Sequence, residues 1–184
     1  MKMKLKLKSL HFAVGALVIG AFLPIFIKND YYMMVLNRVL INIIVVLGLN
    51  FITGLTGQMN LGTAGIFALG AYSLALFTRY TNLTPWLGLI VAVIMGILIG
   101  RGLGYPSLRV RGVYLSLTTI GFGEVVRLLI SNTPKFTGGT QGIRNIRPYN
   151  IGSFQIQSQK EMYYLFLVFT AIAFFIAWRI AYSK

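Results

Sequence analysis

The chain has 184 residues, of which 57% are hydrophobic and only 11% charged, and its mean hydropathy is +0.76. Soluble domains carry about a quarter charged residues, so this composition indicates a membrane protein. The absence of cysteine excludes disulfide frameworks and thiolate metal sites. The net charge of +14 comes mostly from lysines and arginines at the ends of apolar runs, which favours contact with lipid headgroups over a nucleic-acid surface.

The first apolar run covers Leu10–Ile27 and follows four lysines within the first eight residues. A basic start before an apolar run is also typical of a signal peptide. The run has the ~18 residues that a spanning helix needs, however, and no clear small-residue cleavage pattern follows it. We therefore predict a retained first span with the N-terminus in the cytoplasm.

The second predicted span, Tyr31–Thr53, carries amide side chains inside an apolar helix. Asn42 and Asn50 are eight residues apart, which places them on about the same side of the helix. An amide in hydrocarbon needs a hydrogen-bonding partner, so we expect this side to face protein or a cavity. The pattern leaves open whether the asparagines contact substrate or only neighbouring helices.

A glycine-rich stretch, Gly54–Gly65, separates two apolar runs, Ile41–Ile52 and Ile66–Phe77. Irregular backbone is tolerated within a bilayer only where protein buries it or water reaches it, and a helix broken there can line a substrate path. We therefore predict a broken-helix or re-entrant segment. The predicted substrate path consists of Asn42, Asn50, Gly57, Gln58, Asn60, Gly62 and Thr63.

The third and fourth predicted spans, Ala64–Phe77 and Trp86–Gly100, both carry lines of small residues. In the third span, alanines recur every three or four residues. The line in the fourth span is unbroken and consists of Gly88, Ala92, Gly96 and Gly100. Such lines let another helix approach closely, and packing alone would explain them.

The fifth predicted span, Val113–Ile130, contains Glu124 and Arg127, three residues apart. Residues at this spacing can pair along one helix face. An ionisable residue inside a span is a functional candidate, whereas a locally satisfied pair near the helix end is the plainer alternative. We predict a structural or coupling role for both residues, which would hold the spans together.

The only sizeable polar segment, Ser131–Lys160, precedes a sixth predicted span at Met162–Tyr182. Glycines in this segment permit turns with positive φ, and we expect an external loop or gate there. The predicted gate residues are Thr137, Gly138, Gly139 and Gly142.

Six spans predict an all-α polytopic membrane protein in which residues 1–184 form one integral membrane domain. The arginines of the short connection Arg101–Gly112 fall on the same side as the first lysines, so positive charge favours a cytoplasmic location for both termini.

Several kinds of chemistry are missing from the sequence. It contains no phosphate-binding loop, so we do not expect the chain itself to hydrolyse nucleotide. One histidine, three acidic residues and no cysteine supply too few ligands for a usual metal site. We therefore predict that the chain is not an enzyme and carries no metal or other cofactor.

Two stretches resemble the permeases of ATP-binding-cassette transporters for branched-chain amino acids. Residues 54–72 read GLTGQMNLGTAGIFALGAY, which is similar to the family pattern G-x-x-G-Q-x-S-L-G-x-A-x-F-x-x-x-G-A-Y, with Asn60 where serine is usual. Residues 108–127 read LRVRGVYLSLTTIGFGEVVR, which resembles the L-R-x-R-G-x-Y stretch and the G-F-G-E-x-x-R end of the LivM-type subunit. TGGTQGI follows at residues 137–143, and together these motifs favour the LivM-type over the LivH-type subunit.

The resemblance implies a permease subunit of an importer for leucine, isoleucine and valine in the bacterial inner membrane. Its implied partners are a second, LivH-type permease, cytoplasmic ATPases, an extracytoplasmic solute-binding protein and membrane lipid, whereas the dispersed basic residues argue against nucleic acid. Family members are longer, so the chain resembles their N-terminal portion. The alternatives are a truncated non-transporting subunit or scaffold, a self-sufficient channel, and a permease for another small solute such as another amino acid or urea.

Overall fold

In a computed structural model of the chain, the structure describes residues 15, 17–27, 29–55, 57–81, 83–107, 112–151 and 154–181. They divide into two compact units, Met1–Phe51 with Gln157–Lys184 and Ile52–Ile156. The predicted cytoplasmic lysines at the N-terminus, the start of the first predicted span and the arginines at positions 109 and 111 lie outside the described residues.

The described chain is almost entirely helical. In chain order its helices are α1 (Leu17–Phe26), α2 (Asp30–Asn50), α3 (Thr63–Thr81), α4 (Pro85–Ser107), α5 (Val113–Asn132), α6 (Pro134–Thr137) and α7 (Gln159–Ala181). A π-helical turn covers Phe51–Leu55, a 3-10 turn covers Gly139–Gln141, and two short strands are β1 (Tyr149–Ile151) and β2 (Phe154–Ile156).

The first unit packs α2 against α7 around three buried side chains, Met33, Leu40 and Tyr163. The Tyr163 hydroxyl donates a hydrogen bond to the Gly20 carbonyl oxygen at 2.8 Å, which ties α1 to α7. α7 begins with a capping box, because the Glu161 carboxylate accepts hydrogen bonds from the backbone N–H groups of Gln157 at 2.9 Å and Ser158 at 3.1 Å.

Asn37 is the polar residue on the buried stripe of α2, and it is only 5% exposed. It follows Met33 by four residues and precedes Leu40 by three, the spacing of one helix face. Its Nδ2 donates hydrogen bonds to the Gln159 main-chain oxygen at 3.1 Å and to the Gln159 Oε1 at 3.0 Å. The amide thus joins α2 to the first residue of α7.

In the second unit, α3 crosses α5 so closely that glycine is needed at the crossing. A Cβ at Gly62 would lie 2.7 Å from the Thr119 carbonyl oxygen, and a Cβ at Gly65 would lie 3.0 Å from the Phe122 ring and 3.1 Å from the Gly123 Cα. These distances are shorter than ordinary van der Waals contact. The two backbones therefore touch where a larger residue would force them apart.

One glycine of the small-residue line predicted on α4 lies at a close contact with α3. A Cβ at Gly88 would lie 2.9 Å from the Thr78 Oγ1 of α3, which is the close helix approach that the line predicts. At Gly96 and Gly100, no described atom would lie within 4 Å of an added Cβ. Packing against α3 therefore explains the glycine at position 88, whereas Gly96 and Gly100 make no close contact of this kind with the described residues.

A two-stranded antiparallel hairpin lies in the segment predicted as an external loop, and it was not predicted. Tyr149 pairs with Ile156, Asn150 with Gln155 and Ile151 with Phe154. The Trp86 Nε1 donates a hydrogen bond to the Asn150 carbonyl oxygen at 2.7 Å, and the rings of Trp86 and Tyr149 meet edge to face at 5.3 Å. The hairpin is thereby fixed to the start of α4, and burial raises the pKa of the Tyr149 phenol.

The predicted fold class, an all-α polytopic membrane protein, is confirmed. Among the described residues, four helical segments are long and apolar enough to cross a membrane: Asp30–Gly54, Pro85–Tyr105, Tyr114–Asn132 and Gln159–Ala181. α1 is too short over its described residues to be one of these four segments. α3 has 19 residues but is not one of the four either. The predicted number of six spans and the single domain over 1–184 stay predictions.

Replacing Asn37 by alanine should destabilise the packing of α2 on α7, because Gln159 loses its amide donor. Side-chain hydrogen bonds between membrane helices contribute about 0.6 kcal/mol on average and up to about 1.7. We expect the free energy of unfolding to fall by about 1–2 kcal/mol, measured by SDS titration of the purified protein in micelles. Asn42→Ala, at an exposed position of the same helix, is the control, and an equal loss there would contradict the assignment.

Gly65→Ala and Gly70→Ala form a matched pair for the helix crossing. Both lie in α3, and each substitution should gain about 1 kcal/mol of helix propensity. No described atom would lie within 4 Å of a Cβ at Gly70, whereas one at Gly65 would press on α5. In the same SDS titration, Gly65→Ala should be less stable than Gly70→Ala by about 1–3 kcal/mol. Equal stability of the two variants would show that the crossing is looser than described.

Candidate functional site

The glycine-rich stretch interrupts the helical chain as predicted. After the π-helical turn, residues 57–62 are not helical, and helical geometry resumes at Thr63. Gly57 has a φ of +68°, a conformation that glycine adopts without strain. The Gln58 N–H donates to the Ile52 carbonyl oxygen at 3.4 Å, which bends the backbone back towards the π-helical turn.

Hydroxyl groups of α5 satisfy the backbone of this non-helical segment. The Thr119 Oγ1 accepts a hydrogen bond from Leu61 N at 3.1 Å and donates one to the Ser116 carbonyl oxygen at 3.0 Å. The Ser116 hydroxyl donates to the Met59 carbonyl oxygen at 3.4 Å. Two hydroxyl side chains of a neighbouring helix thus bond the Leu61 N–H and the Met59 carbonyl oxygen, while the side chains of Met59 and Leu61 are exposed.

Asn60 closes a local turn before α3. Its Oδ1 accepts a hydrogen bond from Gly62 N at 2.8 Å, the bond that asparagine and serine side chains commonly make two residues ahead. The serine that is usual here in the family pattern could therefore make an equivalent bond. The amide NH₂ group of Asn60 makes no hydrogen bond to a described residue.

Gln58 and Thr63 flank this turn and keep free hydrogen-bonding capacity. The Thr63 Oγ1 is buried and has no partner within the described part of the chain. Gln58 is partly exposed, and its side-chain amide bonds to no described residue. The partly exposed Gln58 amide can therefore donate and accept hydrogen bonds near the start of α3, where backbone N–H groups also lack helical partners, whereas protein encloses the Thr63 hydroxyl oxygen.

Asn42 and Asn50 belong to the first compact unit and are both exposed on α2. The remaining predicted path residues belong to the second unit. The buried amide of α2 is Asn37, which was not selected from the sequence. Its i, i+4, i+7 spacing with Met33 and Leu40 was the signal that could have identified it.

Glu124 and Arg127 pair with each other on α5, so the predicted pairing is confirmed. The Arg127 Nε lies 2.9 Å from the Glu124 Oε2, and the Arg127 Nη2 lies 2.5 Å from the Glu124 Oε1. The side chains are 64% exposed for Arg127 and 52% exposed for Glu124. No described residue of another helix contacts the pair through a hydrogen bond or ion pair, and its structural or coupling role stays a prediction.

The predicted gate residues form a compact, hydrogen-bonded turn. The buried Thr137 hydroxyl lies 2.6 Å from the Ile130 carbonyl oxygen and 2.8 Å from the Thr133 carbonyl oxygen, and it accepts a hydrogen bond from Gly139 N at 3.1 Å. This single side chain fastens the turn to the end of α5.

The three gate glycines adopt positive φ, as predicted. The φ angles are 75° at Gly138, 60° at Gly139 and 69° at Gly142. A Cβ at Gly138 would in addition lie 2.1 Å from the Gly142 carbonyl oxygen. The turn therefore depends on glycine for both conformation and space, and its function as a gate stays a prediction.

An apolar cavity of ≈ 180 Å³ opens between α3 and the segment after the gate turn, and the sequence did not predict it. It is lined by Ala71, Tyr72, Ala75, Ile143 and Ile146. Two of these residues belong to the line of alanines that was predicted to accept another helix. Part of that smooth face therefore borders open space instead of a helix.

Residues 31–183 match the family described as branched-chain amino acid transport system / permease component. The chain is 41% identical over 135 residues to the high-affinity branched-chain amino acid transport system permease protein LivM of Escherichia coli K12. It is 40% identical over 135 residues to the LivM protein of Salmonella typhimurium LT2.

Each of these matches covers 73% of this chain and 32% of the relative, so the matched segment spans about one third of the length of each LivM protein. No solved structure matches the chain significantly. The family match extends over most of the chain, and the two relatives support the resemblance seen at residues 54–72 and 108–127. The chain therefore belongs to the family of permease components of branched-chain amino acid transport systems.

Proposed function

We propose that the chain is a permease subunit of an ATP-binding-cassette importer that carries leucine, isoleucine and valine across the bacterial inner membrane. The observation that carries this proposal is the non-helical segment 57–62, which interrupts two apolar runs of the chain and is bonded to α5 through Thr119. Irregular backbone of this kind is found in membrane proteins where it lines a solute path. The family match supports the transport class.

The proposed partners follow from what the chain lacks. It contains no phosphate-binding loop, so energy from ATP must come from separate cytoplasmic ATPase subunits. A second, LivH-type permease completes the path, and an extracytoplasmic binding protein delivers the amino acid. The N-terminus lies in the cytoplasm, in agreement with the positive charge of the first eight residues.

The proposed mechanism is alternating access, in which ATP-driven closure of the ATPases rocks the two permeases about a central path. Gln58 and Asn60 supply hydrogen-bonding groups that replace water around the solute. Gly57 permits the bend, and Gly62 permits the contact with α5. The path can then open and close by small movements of α3 against α5.

The proposed external gate is the turn formed by Thr137, Gly138, Gly139 and Gly142. Its hydrogen bonds to the end of α5 make it a rigid surface, which suits it to receive the binding protein. Movement of α5 during transport would carry this surface with it.

The alternative functions differ from the importer in their need for energy and partners. A self-sufficient channel would pass leucine without ATPase subunits, and a scaffold would pass none. A permease for another amino acid or urea would keep the need for ATP and show a different preference among solutes.

Uptake of radiolabelled leucine into vesicles separates these functions. We expect ATP-dependent uptake when the chain is reconstituted with a second permease, ATPases and binding protein, because only that assembly can alternate access. The chain reconstituted alone should pass no leucine. Leucine flux through the chain alone would contradict the importer and support the channel. Equal uptake with and without the chain, in the complete assembly, would support the scaffold.

Gln58→Ala tests the path within the working importer. The variant removes a free amide without touching the contact with α5, so we expect uptake to fall about fivefold, the equivalent of one hydrogen bond worth about 1 kcal/mol. Membrane abundance should stay normal on an immunoblot.

Met59→Ala is the matched control. Met59 follows Gln58 in the chain, and its side chain is exposed and carries no amide. Uptake that is equal in both variants would remove Gln58 from the path. Gly62→Leu is less informative than Gln58→Ala, because its side chain would collide with the Thr119 carbonyl oxygen and disturb the fold.

A further inference from the structure

Glu124 lies well inside a spanning helix, Arg127 lies about 8 Å from the end of that helix, and both side chains are exposed. α5 runs from Val113 to Asn132, so at 1.5 Å per residue Glu124 lies about 16 Å from its start and about 12 Å from its end. Both charged side chains are more than half exposed. Exposed charges at such a depth do not rest against lipid tails, so they face a water-filled cavity or another protein surface.

Glu124 lies on the side of α5 that points away from α3, whereas Arg127 is about 80–100° around the helix from Thr119 and Val126 and about 20° from Ser116. Thr119 and Val126 are buried, and Glu124 is about 140–160° around the helix from them at 100° per residue. The neighbours of Glu124 on its own face are Ile120 and Leu128, which are exposed, and Gly121, where no described atom would lie within 4 Å of an added Cβ.

The surface around the pair is both charged and apolar. The ion pair uses only part of its hydrogen-bonding capacity: two of the five guanidinium N–H groups bond Glu124, and each carboxylate oxygen can accept a further bond. Aliphatic side chains flank the charges, and Gly121 leaves a notch beside them. A ligand that fits must therefore combine an anionic group, a cationic group and an apolar body.

We propose that Glu124 and Arg127 bind the zwitterionic head group of an α-amino acid, with the guanidinium on its carboxylate and the Glu124 carboxylate on its ammonium group. The inference rests on the proposed transport function and assigns the head-group site within it. It differs from the predicted structural role, in which the pair would hold the spans together. Ile120 and Leu128 contact the aliphatic side chain of the bound amino acid.

A stripe on α5 connects this site to the non-helical segment. Ser116, Ile120, Gly123 and Arg127 follow one another at the spacings i, i+4, i+7 and i+11, which keeps them on one side of the helix. Ser116 bonds the Met59 carbonyl oxygen, and Arg127 lies about 16 Å farther along α5. An amino acid bound by the pair therefore has a continuous surface that leads to residues 57–62.

The chain has no cysteine, so a single Gly121→Cys substitution introduces one reactive thiol beside the pair. In vesicles containing the whole permease and ATPase assembly, without binding protein, a charged methanethiosulfonate should label Cys at this position. Leucine at about ten times its apparent Kd should slow labelling about tenfold, because only about a tenth of the sites stay free. 4-Methylpentanoate and 3-methylbutylamine, which each lack one of the two charges, should protect far less.

Val93→Cys, at an exposed position of the apolar helix α4, is the matched control and should not react with the charged reagent. Failure of Gly121→Cys to react would mean that lipid or a partner helix covers the pair, and it would overturn the proposal. Labelling that leucine leaves unchanged would overturn it as well. ATP-dependent leucine uptake is measured in the same vesicles, so a failure of the transport function is seen separately.

Charge variants made in the Gly121→Cys background give a second test that does not depend on transport. Glu124→Gln and Arg127→Gln should each raise the leucine concentration needed for half protection about tenfold or more, since each removes one charged contact. Arg79→Gln, at an exposed position near the end of α3, should leave it unchanged. Unaltered protection in both variants of the pair would show that the charges do not bind leucine.

Discussion

Backbone that leaves helical geometry between two apolar runs needs hydrogen-bonding partners outside its own segment, and α5 supplies two of them. Residues 57–62 cannot satisfy their own N–H and C=O groups as a helix does. The Thr119 hydroxyl accepts from Leu61 N, and the Ser116 hydroxyl donates to the Met59 oxygen. These bonds can form only because Gly62 and Gly65 let the backbone approach α5. The non-helical segment 57–62 therefore depends on α5 for its conformation.

The hydroxyl side chains and the charged side chains of α5 have different hydrogen-bonding partners. Hydroxyl groups lie on the side that meets the broken segment, where weakly polar groups suffice to pair with backbone. Glu124 lies on the opposite side and Arg127 lies close to the side of Ser116, and these two charged side chains are exposed and pair with each other. One helix thus serves both the non-helical backbone and the proposed head-group site, and a movement of α5 would act on both. Gly121 leaves the surface of α5 open on one side, and Gly65 lets α3 come close to it on another.

The sequence predicted features that depend on neighbouring residues and missed those that depend on distant ones. The apolar runs, the glycine-rich interruption, the positive φ of Gly138 and the Glu124–Arg127 pair all follow from local spacing. The β1–β2 hairpin was missed because Trp86, far away in the chain, holds it in place. The start of α7 at Gln159 was predicted three residues late, although the Ser158–Glu161 spacing of a capping box was present. For the site, spacing identified the non-helical segment but not which polar groups keep free bonding capacity.

The amides of α2 show why residue type alone does not identify a site. Asn37, Asn42 and Asn50 occur on one apolar helix, and each needs a partner in a membrane. Asn37 bonds Gln159 and joins two helices, whereas the other two are exposed. The difference lies in α7, which covers only the face that carries Asn37. The Asn37 amide is enclosed by protein and bonds through its Nδ2, so it contributes to packing, and only the exposed amides are available to a solute or to another subunit. The same reasoning applies to the charges of α5, where exposure rather than the presence of charge supports a binding role.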